Sequence, residues 1–282
     1  MKNYIDKKIV GELWSFNKYG NSYKSVDWEW RNLPFTDNLK IKDPFNFKVT
    51  KDFRNISILE IGSSMGRGYQ FLKDQKNIDT KNFSGIEVSN TAIDYCKKNF
   101  TDANWIHANL DEFELEKKYD YSYERHSIHH MPNPLKQYEK ILSKTNFSFT
   151  TTFRGCVHGE TISDLDVGYF IEEKGKYFMN IINFTDVILI GIKNGFNNIR
   201  VDYRGLHEEI PKERDEKRMV LTDKVDRNKK LISRFIISFR KDVNSNKISL
   251  YLIKKKIYSP KYFFIINKIN KHLKRIEKIF NF

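Results

Sequence analysis

Three histidines fall within five residues, at His126, His129 and His130, directly after Arg125. A neutral imidazole titrates near physiological pH and can take a proton from a hydroxyl, so this group suits the activation of an oxygen nucleophile. His129 and His130 are the first candidates for the base, and His158, further along, competes with them. Arg125 and Arg154 carry guanidinium groups that grip a phosphate or carboxylate bidentately, and with His126 they are candidate ligands of an acceptor. Two alternatives stand beside this reading: the histidine pair packs the first turn after its strand, and the arginines pair with neighbouring acids. His158, Glu160, Asp164 and Asp166 match no firm metal-binding spacing, so no metal is expected.

A second constellation lies upstream. Ser57 to Ile61 is a short apolar run that carries Glu60 and leads into Gly62, Ser63, Ser64, Met65, Gly66, Arg67 and Gly68. Glycines let the chain turn tightly and approach a ligand, and the helix that starts beyond them points its first amides at that turn. About twenty residues on, a second strand ends at Glu87, where a nucleotide-binding sheet sets an acid against ribose hydroxyls. A solvated strand end is the alternative for Glu87. The central position of the glycine pattern is Ser64, which requires that its backbone does not need a positive φ.

The elements that would position both groups follow in order. Short strands are expected at 104–108 and 119–123, a fifth at 146–153, a helix from Phe184 with Thr185 as its N-cap and its end at Asn194-Gly195, and two last strands at 198–203 and 233–240. Alternating strands and helices imply an α/β, Rossmann-like architecture.

This order, with His129-His130-Met131-Pro132-Asn133-Pro134 after strand four, resembles the small-molecule branch of the class I S-adenosylmethionine-dependent methyltransferases over residues of roughly 50 to 240. The resemblance implies a seven-stranded, mostly parallel sheet closed by an antiparallel pair. It also implies that Glu60 and the Gly62–Gly68 turn hold the amino-acid end of S-adenosylmethionine, Glu87 the ribose and Val88 one adenine face. Asn109 stands where the family often has an aspartate that accepts from the adenine amino group, Leu110 offers its backbone amide, and Glu124 joins the cofactor residues. A base-amine type of methylation is disfavoured, because strand four ends in Glu124-Arg125-His126 where such enzymes resemble an Asn-Pro-Pro-aromatic pattern.

Composition frames the organisation. The chain has 282 residues, 39% of them hydrophobic, enough for one sizeable core. Residues 51–241 are expected to form the catalytic domain. Residues 1–50, with Trp14, Phe16, Tyr19, Tyr23, Trp28 and Trp30, would be a cap over the pocket whose rings stack on sugars or complete a core. Two cysteines and an N-terminus without a secretion-type apolar segment lead us to expect a cytoplasmic protein.

The net charge is +14, and residues 242–282 form a basic extension; from Lys241 onward 11 lysines and arginines face only Asp242 and Glu277, supplying +9 of it. Within 257–282 apolar residues recur at helical spacing, so the segment would lie on an anionic membrane surface or dock on the catalytic domain or a second subunit. The function expected is O-methylation of a small-molecule or glycan acceptor, such as a carbohydrate or glycolipid intermediate of surface polysaccharide assembly. The alternatives are an RNA methyltransferase that uses the basic tail and a non-catalytic S-adenosylmethionine-binding scaffold.

Overall fold

The computed structural model describes residues 55–76, 78–172, 175–206, 219–222, 224, 232–243, 245, 247–253, 271 and 274. The aromatic cap expected over 1–50 lies outside the described residues. So does the 257–282 segment, apart from Lys271 and Lys274, which are helical and exposed.

Twelve strands and four helices are described. The strands are β1 Ile58–Ile61, β2 Phe83–Glu87, β3 Asn104–His107, β4 Tyr119–Arg125, β5 Thr145–Cys156, β6 Gly168–Glu172, β7 Gly175–Phe178, β8 Ile182–Asn183, β9 Asn198–Leu206, β10 Met219–Leu221, β11 Ile232–Arg240 and β12 Ser249–Ile253. The helices are α1 Arg67–Lys76, α2 Asn90–Asn99, α3 Pro134–Ser143 and α4 Phe184–Lys193. Nine strands join in one mixed, mostly parallel sheet of order β12-β9-β11-β5-β4-β1-β2-β3, with β8 on β5. The α/β Rossmann-like architecture is therefore present, including the antiparallel β9–β11 pair.

The count differs from the seven strands expected, because β8 and β12 are added. Two residues in β8 are too few to show a period. β12 lies in the stretch read as a basic extension, and it pairs in parallel with β9 from Ser249 opposite Asn198 to Ile253 opposite Asp202, covering an edge that would otherwise leave backbone groups open. A separate antiparallel sheet, β10-β6-β7, was also unforeseen.

The chain divides into two compact units. Among the described residues, one comprises 55–125 with 144–150, the other 126–143 with 151 onward. The first is built on β1, whose four residues are all buried, and on a cluster in which Tyr69 meets Phe83 and Trp105 at ring-centroid distances of 5.1 and 5.4 Å. Gly85 in β2 is there because the indole needs the room: a Cβ on it would stand 2.6 Å from Trp105. Ser89 caps α2, accepting from the Ala92 amide at 3.2 Å.

The second unit packs Phe153, Phe184 and Phe235, with Phe184 stacked on Phe235 at 5.0 Å. The cap of α4 is Asn183, whose side chain accepts from the Thr185 amide at 2.8 Å; Thr185, expected in that role, sits inside the first turn. An amide oxygen one residue beyond the helix reaches the orphan amide that a hydroxyl within the helix cannot. Asn194 and Gly195, with φ +82°, end the helix as expected.

Candidate active site

In the first unit, the β1–α1 turn forms a solvent-open cleft with about 300 Å³ of empty space, lined by Glu60, Gly62, Ser63, Ser64, Met65, Arg67, Gly68 and Arg125. Gly62 and Ser63 donate their amides to the Ile86 carbonyl at 2.8 and 3.1 Å, fixing the start of the turn to β2. Gly66 has φ +71°, and a Cβ there would stand 3.0 Å from Phe100 and Trp105.

Ser64 departs from expectation. Its φ is +48°, so the position does use the left-handed region. Side chains from two later elements hold it there. Its amide donates to Glu87 Oε2 at 2.8 Å, and its carbonyl accepts from the Cys96 thiol at 3.3 Å. Burial, together with the charges of Glu60 and Glu87, pushes that thiol up to about 12, so it stays protonated and can donate.

Glu87 spends its other oxygen on the amides of Val88 and Ser89 at 2.8 and 3.0 Å. Its carboxylate still has acceptor capacity at the Ser64 side, since each oxygen carries two lone pairs.

Glu60 is buried at 4% exposure, and burial pushes its carboxyl up to about 8 against the pull of the Arg125 guanidinium. Its Oε2 and the Ser63 Oγ make no hydrogen bond of good geometry, although the Tyr123 hydroxyl, opposite on β4, stands near enough to Glu60 to favour its charged form. Orphaned polar atoms beside a cleft are the mark of a site that a polar ligand completes. An amino-acid headgroup fits them: its ammonium suits Glu60, and its carboxylate suits Ser63 and the arginines Arg67 and Arg125. Arg125, read from sequence as an acceptor ligand, thus lies with the candidate cofactor residues, because β4 pairs with β1 and places Tyr123 opposite Glu60. Met65, Arg67 and Tyr123 were not singled out by sequence. Being neighbours of assigned residues on the turn and on β4 is the signal that would have found the first two and Tyr123 respectively.

The remaining cofactor candidates are placed as follows. Leu110 is 2% exposed and Glu124 fully buried. Asn109 forms a local turn, accepting through Oδ1 from the Asp111 amide at 3.2 Å and donating to Glu112 Oε1 at 3.1 Å. The Val88 carbonyl accepts from His107 Nε2 at 3.1 Å.

This glycine turn between β1 and α1, the acid at the end of β2 and the strand order decide the architecture. It is the α/β, Rossmann-like architecture that the sequence led us to expect.

The sequence matches no family model and no curated protein. Among solved structures, it is similar to the N-terminal domain of EvdMO1 with SAH bound, at 12% identity and a TM-score of 0.47, covering 68% of this chain and 77% of that one. It is also similar to Haemonchus contortus phosphoethanolamine N-methyltransferase 2 in complex with phosphomonomethylethanolamine and S-adenosylhomocysteine, at 18% identity and a TM-score of 0.45, covering 66% and 48%. An S-adenosylmethionine-dependent methyltransferase from Mesorhizobium loti shares 12% identity at a TM-score of 0.44, covering 68% and 93%. These are likenesses of backbone path.

The second unit gathers the histidines. His126 has φ +58° and donates its amide to the Thr152 carbonyl at 2.9 Å. Its ring lies edge-on to His129 at 5.3 Å, and His129 lies 3.9 Å from His130. His130 Nδ1 is 3.0 Å from the Phe178 carbonyl, and since a carbonyl only accepts, Nδ1 carries the proton. Burial pushes His130 down to about 4, with the charges of His126 and Arg154 adding to the fall, so its ring is neutral at physiological pH. Arg154 belongs to the same surroundings and donates to the Met179 sulfur at 3.3 Å. His158 is half-buried on the loop after β5.

Proposed function

We propose that this protein is an S-adenosylmethionine-dependent methyltransferase. One observation carries the reading: a buried carboxylate with an orphaned oxygen, Glu60, beside a glycine turn whose central amide is fixed to the acid at the end of the next strand, Glu87. When bound, the cofactor supplies an activated methyl group. Glu60, Ser63 and the arginines of the cleft would hold its amino-acid end and Glu87 its ribose, leaving the protein to orient an acceptor and exclude water.

The acceptor atom we favour is oxygen, because a histidine group suits removal of a hydroxyl proton. The acceptor class we favour is a carbohydrate or glycolipid, supported by the aromatic residues between Trp14 and Trp30 and the polar stretch through Asp164 and Asp166. The lysine-rich 257–282 segment supports recruitment to an anionic membrane surface from the cytoplasmic side. No helix among the described residues is long and apolar enough to cross a membrane.

Calorimetry with S-adenosylhomocysteine tests the cofactor site. Saturable binding that falls at least about tenfold in Glu87→Ala supports it, since a hydrogen bond to a charged group is worth roughly 1.5–3 kcal/mol. Unchanged affinity in that variant overturns the assignment. A methyl-release assay on candidate sugars then separates an enzyme from a binding scaffold.

A further inference from the structure

Cys96 stands in the middle of α2, fully buried in the same core cluster as Tyr69 and Trp105. Its thiol donates to the Ser64 carbonyl at 3.3 Å, while the Ser64 amide donates to Glu87 Oε2 at 2.8 Å. The helix itself fixes where that thiol is. Ser89 caps its start, the Ile93 amide donates to the Ser89 carbonyl at 3.1 Å, and the Phe100 amide donates to the Cys96 carbonyl at 2.8 Å. The glycine turn therefore comes to the thiol, and not the reverse.

This bond is more than closure of the turn requires. The Gly62 and Ser63 amides on the Ile86 carbonyl, with the Gly66 amide on the Ser63 carbonyl at 3.0 Å, already close it. What the thiol adds is the orientation of one peptide plane. In a trans peptide the N–H points opposite to the C=O, so with the Ser64 oxygen turned onto Cys96 the Met65 amide turns away from it. Met65 lines the cleft, and among the described residues its amide has no acceptor. Ser63 lines the cleft too, and its Oγ makes no hydrogen bond of good geometry. An amide and a hydroxyl left over beside open space suit an anionic oxygen pair.

A thiol fits the post. It packs as a small apolar group yet keeps one weak donor, and burial with the charges of Glu60 and Glu87 holds the proton on it, at about 12.

We propose that Cys96 is a positioning residue of the cleft: its thiol turns the Ser64–Met65 peptide so that the Met65 amide, together with Ser63 Oγ, is offered to the carboxylate of the ligand's amino-acid end. This rests on the methyl-transfer reading and names the core residue that sets one of its donors. Every group involved belongs to the first unit.

The test is calorimetry on the full-length protein with two ligands, S-adenosylhomocysteine and its analogue without the carboxylate, which keeps the nucleoside, thioether and ammonium. Cys96→Ala and Cys96→Val remove the donor, the second while filling the space, and Cys96→Ser keeps one. Affinity for S-adenosylhomocysteine is expected to fall about tenfold in the alanine and valine variants, the low end for one hydrogen bond to a charged group, and to be retained in the serine variant. The analogue is expected to bind all four proteins alike. Thermal unfolding identifies a variant that fails to fold, and the other donor-free variant then decides. In the unsubstituted protein without ligand, the infrared S–H stretching band, assigned by its loss in Cys96→Ser, is expected at the position of a donating thiol.

Unchanged S-adenosylhomocysteine affinity in a folded donor-free variant overturns the proposal. So does an equal loss for the two ligands, which would make Cys96 a packing residue, and so does a band at the position of a free thiol. Absence of S-adenosylhomocysteine binding by the unsubstituted protein would instead strike the methyl-transfer reading, because the band is measured without any ligand.

Discussion

The Ser64 amide donates to Glu87 Oε2 at 2.8 Å across 23 residues of sequence. The residue at the centre of the glycine turn is therefore held in a left-handed conformation, φ +48°, by the same carboxylate that the ribose would use. In the proposed site, turn geometry and cofactor affinity would be coupled through one side chain.

A left-handed conformation costs a residue with a Cβ about 1 kcal/mol. Ser64→Gly is expected to raise the free energy of unfolding by up to about that amount, while Ser64→Val lowers it, because a β-branched residue tolerates positive φ least. Urea unfolding monitored by circular dichroism measures both. Equal stability in the three proteins would mean that the turn is not strained at this residue.

Glu60 supplies a pH dependence. Its carboxyl sits at about 8 when folded against an ordinary 4.5, so the folded state holds a proton that the unfolded state has lost between those values. Stability should therefore fall as pH rises from 4.5 to 8, at up to about 1.4 kcal/mol per pH unit. Glu60→Gln should flatten that slope. Its unfolding free energy, measured at pH 5 and pH 8, should change less between the two than that of the unsubstituted protein.

The same group predicts a proton signature on binding. A ligand ammonium favours the charged carboxylate, so S-adenosylhomocysteine should release a proton from Glu60 when it binds near pH 7. Calorimetry in buffers of different ionisation enthalpy reads the number released. A value indistinguishable between the unsubstituted protein and Glu60→Gln would place the ammonium elsewhere.

Gly85→Ala places a methyl group 2.6 Å from Trp105 and 3.0 Å from the Ser63 Cβ. Overpacking of this kind costs about 1–3 kcal/mol, and here the strain falls on the indole and on the start of the turn. A fall in melting temperature together with weaker S-adenosylhomocysteine binding is expected. Weaker stability alone would show that Trp105 moves and Ser63 does not.

Deleting residues 257–282 should abolish co-sedimentation with vesicles containing phosphatidylserine, and high salt should weaken the full-length protein's binding. Sedimentation that survives the deletion would remove the tail from membrane contact and leave docking on protein as its role.

Local pattern was enough for much of this. The apolar β1 run, the glycines that follow and the acid closing β2 declare a strand, a turn and a second strand through residues a few positions apart, and these carried the α/β class and pointed to the candidate site around Glu60 and Glu87. Pattern likewise placed α4 and the strands β9 and β11, while the resemblance supplied their antiparallel pairing. Pattern missed β8 and β12, since two residues show no period and Ser249–Ile253 is flanked by lysines.

What the tertiary structure alone decided depends on groups far apart in the chain. Ser64 takes positive φ because Glu87 and Cys96, 23 and 32 residues away, hold its two backbone groups. Arg125 lines the Glu60 cleft because β4 lies beside β1. His130 has a defined tautomer because residues 178–180, some 48 or 49 positions later, bind its turn. A sequence specifies which residue types can do chemistry, but protonation, tautomer and strain are set by neighbours that only folding brings into contact.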